Sequence, residues 1–85
     1  MINWARLPAG ASFQAHYHED MQEVFIIISG QAHIQVDQES AVLGSGDTVI
    51  IPARSVHIMR NTGGKDVEYI ALGISSEGRG RTVVM

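Results

Sequence analysis

Two histidines separated by one residue, His16 and His18, are the side chains of this sequence best suited to chemistry. In a β-strand the side chains alternate between the two faces, so both imidazoles would point to the same side of a sheet. Their Cα atoms would lie about 7 Å apart, a separation from which two rings can bind one metal ion. A strand at this place would therefore carry half of a metal site.

Two further candidate ligands are Glu23 and His57. Glu23 follows His18 by five residues, which is the wrong parity for the same face of an unbroken strand. The polar, acidic stretch at residues 19–21 can turn the chain, and a return strand would bring Glu23 back beside the histidines. His57 lies far downstream, so only the tertiary fold can bring it to the other three.

The composition of the chain is that of a small globular protein. With 85 residues, 45% of them hydrophobic and 18% charged, the chain has room for one domain, which we expect to span residues 1–85. A net charge of −3 argues against a nucleic-acid surface, which needs a basic stripe. Because there is no cysteine, disulfides cannot stabilise the core. No signal-peptide or membrane-span pattern is present, which predicts a cytoplasmic protein without membrane contact.

Short β-rich runs separated by turn residues fill the chain, and no stretch has helical periodicity. We expect strands at residues 2–7, 11–18, 24–28, 31–36, 41–43, 48–51, 56–60 and 67–74, and a last one at 82–84 after a loop at 78–80. Such short strands at regular spacing are typical of an all-β antiparallel sandwich or barrel. A jelly roll fits the number of strands, although periodicity alone does not separate it from other small barrels.

The most hydrophobic run, Val-Phe-Ile-Ile-Ile at residues 24–28, does not alternate with polar residues. A strand that has one face in water alternates, so this run predicts burial on both faces. In so small a chain one face meets the interior, and a second subunit most simply covers the other. The run therefore predicts a homodimer. His33, by contrast, falls on the polar side of an alternating strand, and we interpret it as solvated.

The spacing of these residues resembles the two sequence motifs of the cupin superfamily. The first motif reads Gly10, five residues, His16-Tyr17-His18, four residues, Glu23, six residues and Gly30. The second reads Gly46, five residues, Pro52, and then His57 and Asn61. Fifteen residues separate the two motifs, which looks like the short spacer of small microbial members.

One position departs from the pattern, because Arg54 stands where the family usually has glycine two residues after the proline. Glycine there would permit a positive φ, which arginine adopts only at a cost. Either the turn has another shape, or Arg54 is strained and its guanidinium lies near the mouth of the barrel.

The resemblance implies a six-stranded or larger antiparallel jelly-roll barrel that holds one divalent transition metal. It places His16, His18, Glu23 and His57 at the family's ligand positions. Imidazole and carboxylate donors suit iron, manganese, nickel, copper or zinc, and they do not suit calcium. Four protein ligands would leave two positions of an octahedral ion open. Gln14, on the predicted face of His16, and Tyr69, on a late strand, are candidate catalytic side chains.

Two functions fit these expectations. The first is a metal-dependent enzyme for a compact small-molecule substrate, with dioxygenase-like and isomerase- or lyase-like chemistry both open. The alternative is a non-catalytic cupin, which would be a small-ligand-binding or sensor module with a structural metal. No helix-turn-helix pattern accompanies such a module here. Because a fold does not fix an activity, both functions stay open at this point.

Overall fold

Nine strands make up the part of the chain that the computed structural model describes, residues 2–75 and 82–84. They are β1 (Ile2–Leu7), β2 (His16–His18), β3 (Met21–Ser29), β4 (Ala32–Val36), β5 (Glu39–Leu43), β6 (Thr48–Ile51), β7 (His57–Arg60), β8 (Val67–Ser75) and β9 (Thr82–Val84). These ranges contain no helix, and hence no helical segment that could cross a membrane. The all-β prediction is confirmed, and the loop predicted at residues 78–80 lies outside the described residues.

The strands form two sheets that face each other across one core. The four-stranded sheet has the order β1-β8-β3-β6, and the five-stranded sheet has the order β5-β4-β7-β2-β9. Every pairing is antiparallel. Neighbours that are distant in sequence, such as β3 and β8, are typical of a jelly roll, which confirms the predicted fold class.

The two sheets do not close into a continuous barrel. Strands β5 and β6 are both edge strands, and a groove of about 620 Å³ runs between them. Val36 of β4 and Val49, next to Ile50 on β6, are among the residues that line this groove. The architecture is therefore a two-sheet sandwich with an open groove between β5 and β6.

The core is built from alternate side chains of the strands. On β3, Phe25 and Ile27 point inward and are buried, whereas Val24, Ile26 and Ile28 on the other face are half-buried. Both faces of this run were predicted to be buried. Within a single chain one face is fully buried and the other is half-buried. The buried apolar side chains of the core are Leu7, Phe25, Ile27, Ala32, Ile34, Leu43, Ile51, Met59, Val67 and Ala71.

The second strand is shorter than the sequence predicts. Residues 11–18 were expected to form one strand, but only His16–His18 does so, and a single bridge joins Ser12 to Arg60. The physical reason is a shift of register, since Ser12 pairs with Arg60 and His16 with His57, which leaves three residues facing two. The change of sheet comes earlier, around a left-handed turn at Gly10, whose φ is 79°, because Ala11 and Phe13 already hydrogen-bond to Asn61 and Met59.

The backbone at Arg54 is left-handed, with φ at 70°. Its N–H donates to the carbonyl oxygen of His18 at 2.6 Å, which ties the turn to β2. Of the two alternatives that the sequence left open, the backbone strain at Arg54 is confirmed, and the position of its guanidinium near the mouth of the barrel stays a prediction. A non-glycine residue in this region costs about 1–2 kcal/mol.

The motif residues without ligand chemistry stabilise the connection from β7 to β8. The buried Asn61 amide donates to the carbonyls of Leu7 at 2.9 Å and Lys65 at 2.7 Å, and its oxygen accepts from the Gly63 N–H at 3.1 Å. At Gly30, whose φ is 88°, a Cβ atom would lie only 2.6 Å from the backbone oxygen of Asp66. No other residue type fits this approach without moving the backbone.

Candidate metal centre

Four side chains, three imidazoles and one carboxylate, meet between the sheets where β7 begins. His16 and His18 come from β2, and His57 comes from β7, where it is the direct cross-strand partner of His16. Glu23 comes from β3 of the opposite sheet. One nitrogen or oxygen atom from each residue lies within 4.8 Å of the corresponding atoms of the other three. The structure thus brings together all four residues that the sequence singled out.

The local backbone explains how Glu23 reaches the histidines. After His18 the chain bends at residues 19–20, and β3 starts at Met21 in the other sheet. On β3 the buried positions are Met21, Glu23, Phe25 and Ile27, so the carboxylate belongs to the inward face. The predicted turn and return strand are therefore correct.

Backbone carbonyls orient two of the imidazoles. Nδ1 of His16 lies 2.7 Å from the carbonyl oxygen of Gln14, and Nδ1 of His57 lies 3.1 Å from that of Ser55. A carbonyl oxygen only accepts, so each ring donates through Nδ1 and its Nε2 carries the lone pair when the ring is neutral. Histidines that bind a metal through one ring nitrogen typically donate the N–H of the other nitrogen to a carbonyl oxygen in this way.

The contacts of the Glu23 carboxylate fit a bound cation. Its Oε1 atom lies 2.7 Å from Nε2 of His18 and 3.1 Å from Nε2 of His57. Because the His57 ring donates through Nδ1, its neutral form places a lone pair opposite a carboxylate oxygen. Two such acceptors repel each other unless a proton or a metal cation joins them. The donor set therefore matches a divalent transition metal.

The pKa values of two members of the cluster, His16 and Glu23, are shifted. Burial lowers the pKa of His16 and outweighs its hydrogen bond to Gln14, so the neutral ring is favoured. Burial would raise the pKa of Glu23, but hydrogen bonds and charge interactions with His57 and His18 outweigh it and lower that pKa. For these two groups the favoured forms, a neutral His16 and an ionised Glu23, are the forms that bind a metal.

Phenylalanine rings pack against the imidazoles. The Phe13 ring centroid lies 5.2 Å from that of His16 and 6.0 Å from that of His57, and Phe25 lies 6.0 Å from His57. Sequence parity placed Gln14, not Phe13, on the face of His16. That expectation is wrong because it assumed a regular strand over residues 11–18. The Gln14 side chain is exposed, and its backbone carbonyl is what contacts His16.

The remaining candidates are not members of the four-residue cluster. Tyr69 is half-buried on the inward face of β8, and its ring packs edge-on against Phe25 at 5.5 Å. Burial and the charge of Glu23 raise the pKa of Tyr69, so its phenol is a neutral hydrogen-bond donor. The catalytic roles of Tyr69 and Gln14 stay predictions. His33 is exposed on β4, in agreement with its interpretation as solvated.

Comparison with known proteins agrees with this geometry. A family profile described as "Cupin domain" matches residues 3–73. An "Oxalate-binding protein" from Thermotoga maritima is 28% identical over 67 residues, which cover 79% of this chain and 55% of that protein. The chain spans about half the length of this relative and of two further curated proteins that it matches.

Two solved structures show the same architecture. A predicted oxalate decarboxylase from Thermotoga maritima aligns with a TM-score of 0.84 and 27% identity, over 88% of this chain and 65% of that one. A protein with a double-stranded β-helix domain from Klebsiella pneumoniae aligns with a TM-score of 0.88 and 20% identity, over 98% of this chain and 71% of that one. At the lower identity the likeness shows the fold alone.

Proposed function

This chain belongs to the cupin family, and we propose that it is a metal-dependent enzyme for a compact small-molecule substrate with oxygen donors. His16, His18, Glu23 and His57 would hold one divalent transition metal, which is iron, manganese, nickel, copper or zinc by the chemistry of its donors. When bound, such a metal supplies Lewis-acid polarisation and a template that orients oxygen donors.

One observation carries the proposal, namely the placement of His57 against Glu23. The His57 side chain is fully buried, donates through Nδ1 to Ser55, and faces a carboxylate oxygen at 3.1 Å with Nε2. A shared proton or a bound cation would compensate this contact, and the cation is favoured because donor atoms of His16 and His18 converge on the same place, all four within 4.8 Å of one another. A bound cation makes both groups favourable at once.

The surroundings of the cluster favour a small substrate. The Phe13 and Phe25 rings pack against histidines of the cluster, and the Tyr69 ring packs against Phe25. These three rings restrict the room between the sheets. The phenol of Tyr69 can donate a hydrogen bond to an oxygen of the substrate. The name of the oxalate-binding relative supports a small carboxylate as the substrate class.

A second function, binding without turnover, is favoured by that same relative, whose name describes binding and not catalysis. In this case the four residues would hold a metal and a carboxylate ligand, and no side chain would act as acid or base. The two functions share the site and differ only in whether the ligand is converted.

Elemental analysis of the purified protein tests the metal site. We expect about one transition-metal ion per chain, and we expect His57→Ala to lose most of it because one of the four donors is gone. His33→Ala is the matched control, since it removes an exposed histidine from the same sheet. Equal metal content in the wild type and His57→Ala would contradict the site.

Calorimetric titration with oxalate then tests the ligand. Saturable heat in the metal-loaded protein, and none after the metal is removed, would support a carboxylate ligand. Loss of oxalate over time would favour the enzyme, whereas unchanged oxalate despite binding would favour the binding module.

A further inference from the structure

The turn between β4 and β5 contacts the segment that precedes His57. Asp37 and Gln38 join the two strands, and the backbone of Asp37 is left-handed, with φ at 52°. Aspartate is one of the few residues besides glycine that adopt this conformation readily. Val36, the last residue of β4, is the direct cross-strand partner of His57. The turn therefore lies beside the point at which the chain enters β7.

Asp37 binds both backbone groups of Val56, the residue before His57. The Asp37 N–H donates to the Val56 carbonyl oxygen at 2.7 Å, and the Val56 N–H donates to Oδ1 of Asp37 at 2.9 Å. The Asp37 carbonyl oxygen accepts from Nε2 of Gln35 at 3.2 Å. Residues 52–56 do not belong to a strand, so the bonds to Asp37 fix Val56 where a sheet ladder does not.

The Val56 N–H and the Ser55 carbonyl belong to the same peptide group. The Ser55 oxygen is the acceptor for Nδ1 of His57 at 3.1 Å. Because a peptide group is planar, a bond that fixes its N–H also fixes the direction of its oxygen. A continuous series of hydrogen bonds thus runs from the Asp37 carboxylate, through one peptide group, to the His57 ring.

The negative charge of the carboxylate strengthens the bond to the ring. A hydrogen bond from an N–H to a carboxylate is charge-assisted, and hydrogen bonds in series polarise one another. The Ser55 oxygen therefore becomes a better acceptor for the Nδ1 proton, and the His57 ring becomes a better electron-pair donor through Nε2. In many metal sites a carboxylate contacts the histidine directly. Here one peptide group lies between the two.

A second aspartate makes the same pair of bonds elsewhere in the chain. The Asp47 N–H donates to the Gly44 carbonyl oxygen at 3.0 Å, and the Gly44 N–H donates to Oδ2 of Asp47 at 2.8 Å. Like Asp37, Asp47 is exposed and lies in a connection between strands. Gly44, however, is not adjacent in sequence to any member of the four-residue cluster. Asp47 is therefore an internal control for the stability that such bonds give to a turn.

We propose that Asp37 is a positioning residue of the candidate metal centre, which orients His57 and strengthens its Nε2 donor through the Ser55–Val56 peptide group. The inference rests on the proposed metal site, because that site is what the Nε2 atom faces. A carboxylate with only a structural role would change the stability of the turn and leave the affinity for metal unchanged. The two roles are therefore separable by experiment.

The hydrogen bond of the His57 ring can be measured in the metal-free protein. NMR of the imidazole N–H signals gives the rate at which the Nδ1 proton exchanges with water. Asp37→Gly removes the carboxylate and keeps a residue that is suited to a positive φ. We expect the exchange to be on the order of 10-fold faster in this variant, because the bond to Ser55 is weakened. Asp47→Gly should leave the rate unchanged.

The dissociation constant for zinc, measured by competition with a chelator, is the second readout. We expect Asp37→Gly to weaken binding about 10-fold or more, which is typical of groups that orient a metal ligand. Asp37→Asn keeps an oxygen acceptor and loses the charge, so its effect should be smaller. Asp47→Gly should bind zinc as the wild type does. Glu39→Gln controls for charge alone, since it removes an equal charge from the residue that pairs with Val36.

Equal zinc affinity in the wild type and Asp37→Gly would overturn the proposal. An equal loss of affinity in Asp47→Gly or Glu39→Gln would also overturn it, because turn stability or charge alone would then be responsible. So would an unchanged exchange rate of the His57 Nδ1 proton in Asp37→Gly. A wild-type protein that binds no zinc would contradict the proposed metal site instead, and the exchange rates would still decide whether Asp37 holds the ring. Circular dichroism and urea unfolding of each metal-free variant identify any that misfold.

Discussion

The two sheets of this protein carry different side chains on both of their faces. The five-stranded sheet contributes all three histidines of the cluster inward, and its β4–β5 hairpin is largely polar outward. The four-stranded sheet contributes one ionisable member of the cluster, Glu23, and presents an apolar surface outward. Nitrogen donors are thus concentrated in one sheet, and the other supplies the charge that balances a cation.

This difference teaches that the candidate site depends on how the sheets pack. Glu23 is the one member of the cluster that reaches across from the four-stranded sheet. A bound cation would therefore link the sheets in a protein that has no cysteine for a disulfide. Metal affinity and the stability of the sandwich should rise and fall together.

The largest effect is expected from Glu23→Gln, which removes the charge that connects the sheets. For the wild type, free metal at about 1,000 times its dissociation constant should add about 4 kcal/mol to the free energy of unfolding. The variant should lose most of this increment, because an amide supplies no negative charge. Urea unfolding with and without metal measures it, and Glu39→Gln, an exposed glutamate on β5, is the control. An equal increment in all three proteins would mean that the metal does not bridge the sheets.

A smaller effect is expected from Arg54→Gly, which alters the turn tied to His18 in the five-stranded sheet. Glycine relieves the strain at φ 70° but has more conformational freedom in the unfolded chain, so the net gain should be below about 1 kcal/mol. Denaturant unfolding of the metal-free protein measures this change. Arg60→Gly is a suitable contrast, because it lies within strand β7 and should destabilise instead. A loss of stability in Arg54→Gly would show that the arginine side chain itself supports the turn.

The smallest effect concerns acid, which should weaken the metal-free protein through His16. The pKa of His16 is lowered in the folded chain, so its contribution is complete above its unfolded pKa of 6.5 and decreases as the pH falls below that value. The lowered pKa of Glu23 acts in the same direction at more acidic pH, below its ordinary value of 4.5. His16→Gln should flatten the loss of stability between pH 7 and pH 5.5, and His33→Gln should not. Parallel curves for all three proteins would rule out this contribution.

The sequence predicted most of the fold because alternation and turn residues are local signals. Strand β1 was predicted at its observed bounds, and the return of Glu23 followed from the acidic turn before β3. The strand over residues 11–18 was too long, because alternation of residue types does not reveal an extra residue in one of two paired strands. The open groove between β5 and β6 was also missed, since closure depends on how two edges meet in space.

At the candidate site, the metal-ligating residue types were predictable from the sequence, but the groups that orient them were not. All four members of the cluster were visible as His and Glu at motif spacing. The carbonyls of Gln14 and Ser55 gave no signal, because any residue can supply a backbone oxygen. Their shared place, two residues before an inward histidine, is a pattern that could have pointed to them. Phe13 was missed because its orientation depends on an irregular backbone.

The positions of Gly30 and Asn61 indicate which substitutions the fold of such a protein tolerates. Asn61 follows His57 by four residues, so about 13 Å of extended chain separates the residue that holds the backbone from the residue of the candidate metal site. Losing either framework residue would displace backbone, whereas losing a histidine would leave the sandwich assembled around a vacant centre. A point mutation can therefore abolish metal binding in such a protein while the fold and its framework residues, Gly30 and Asn61, are retained.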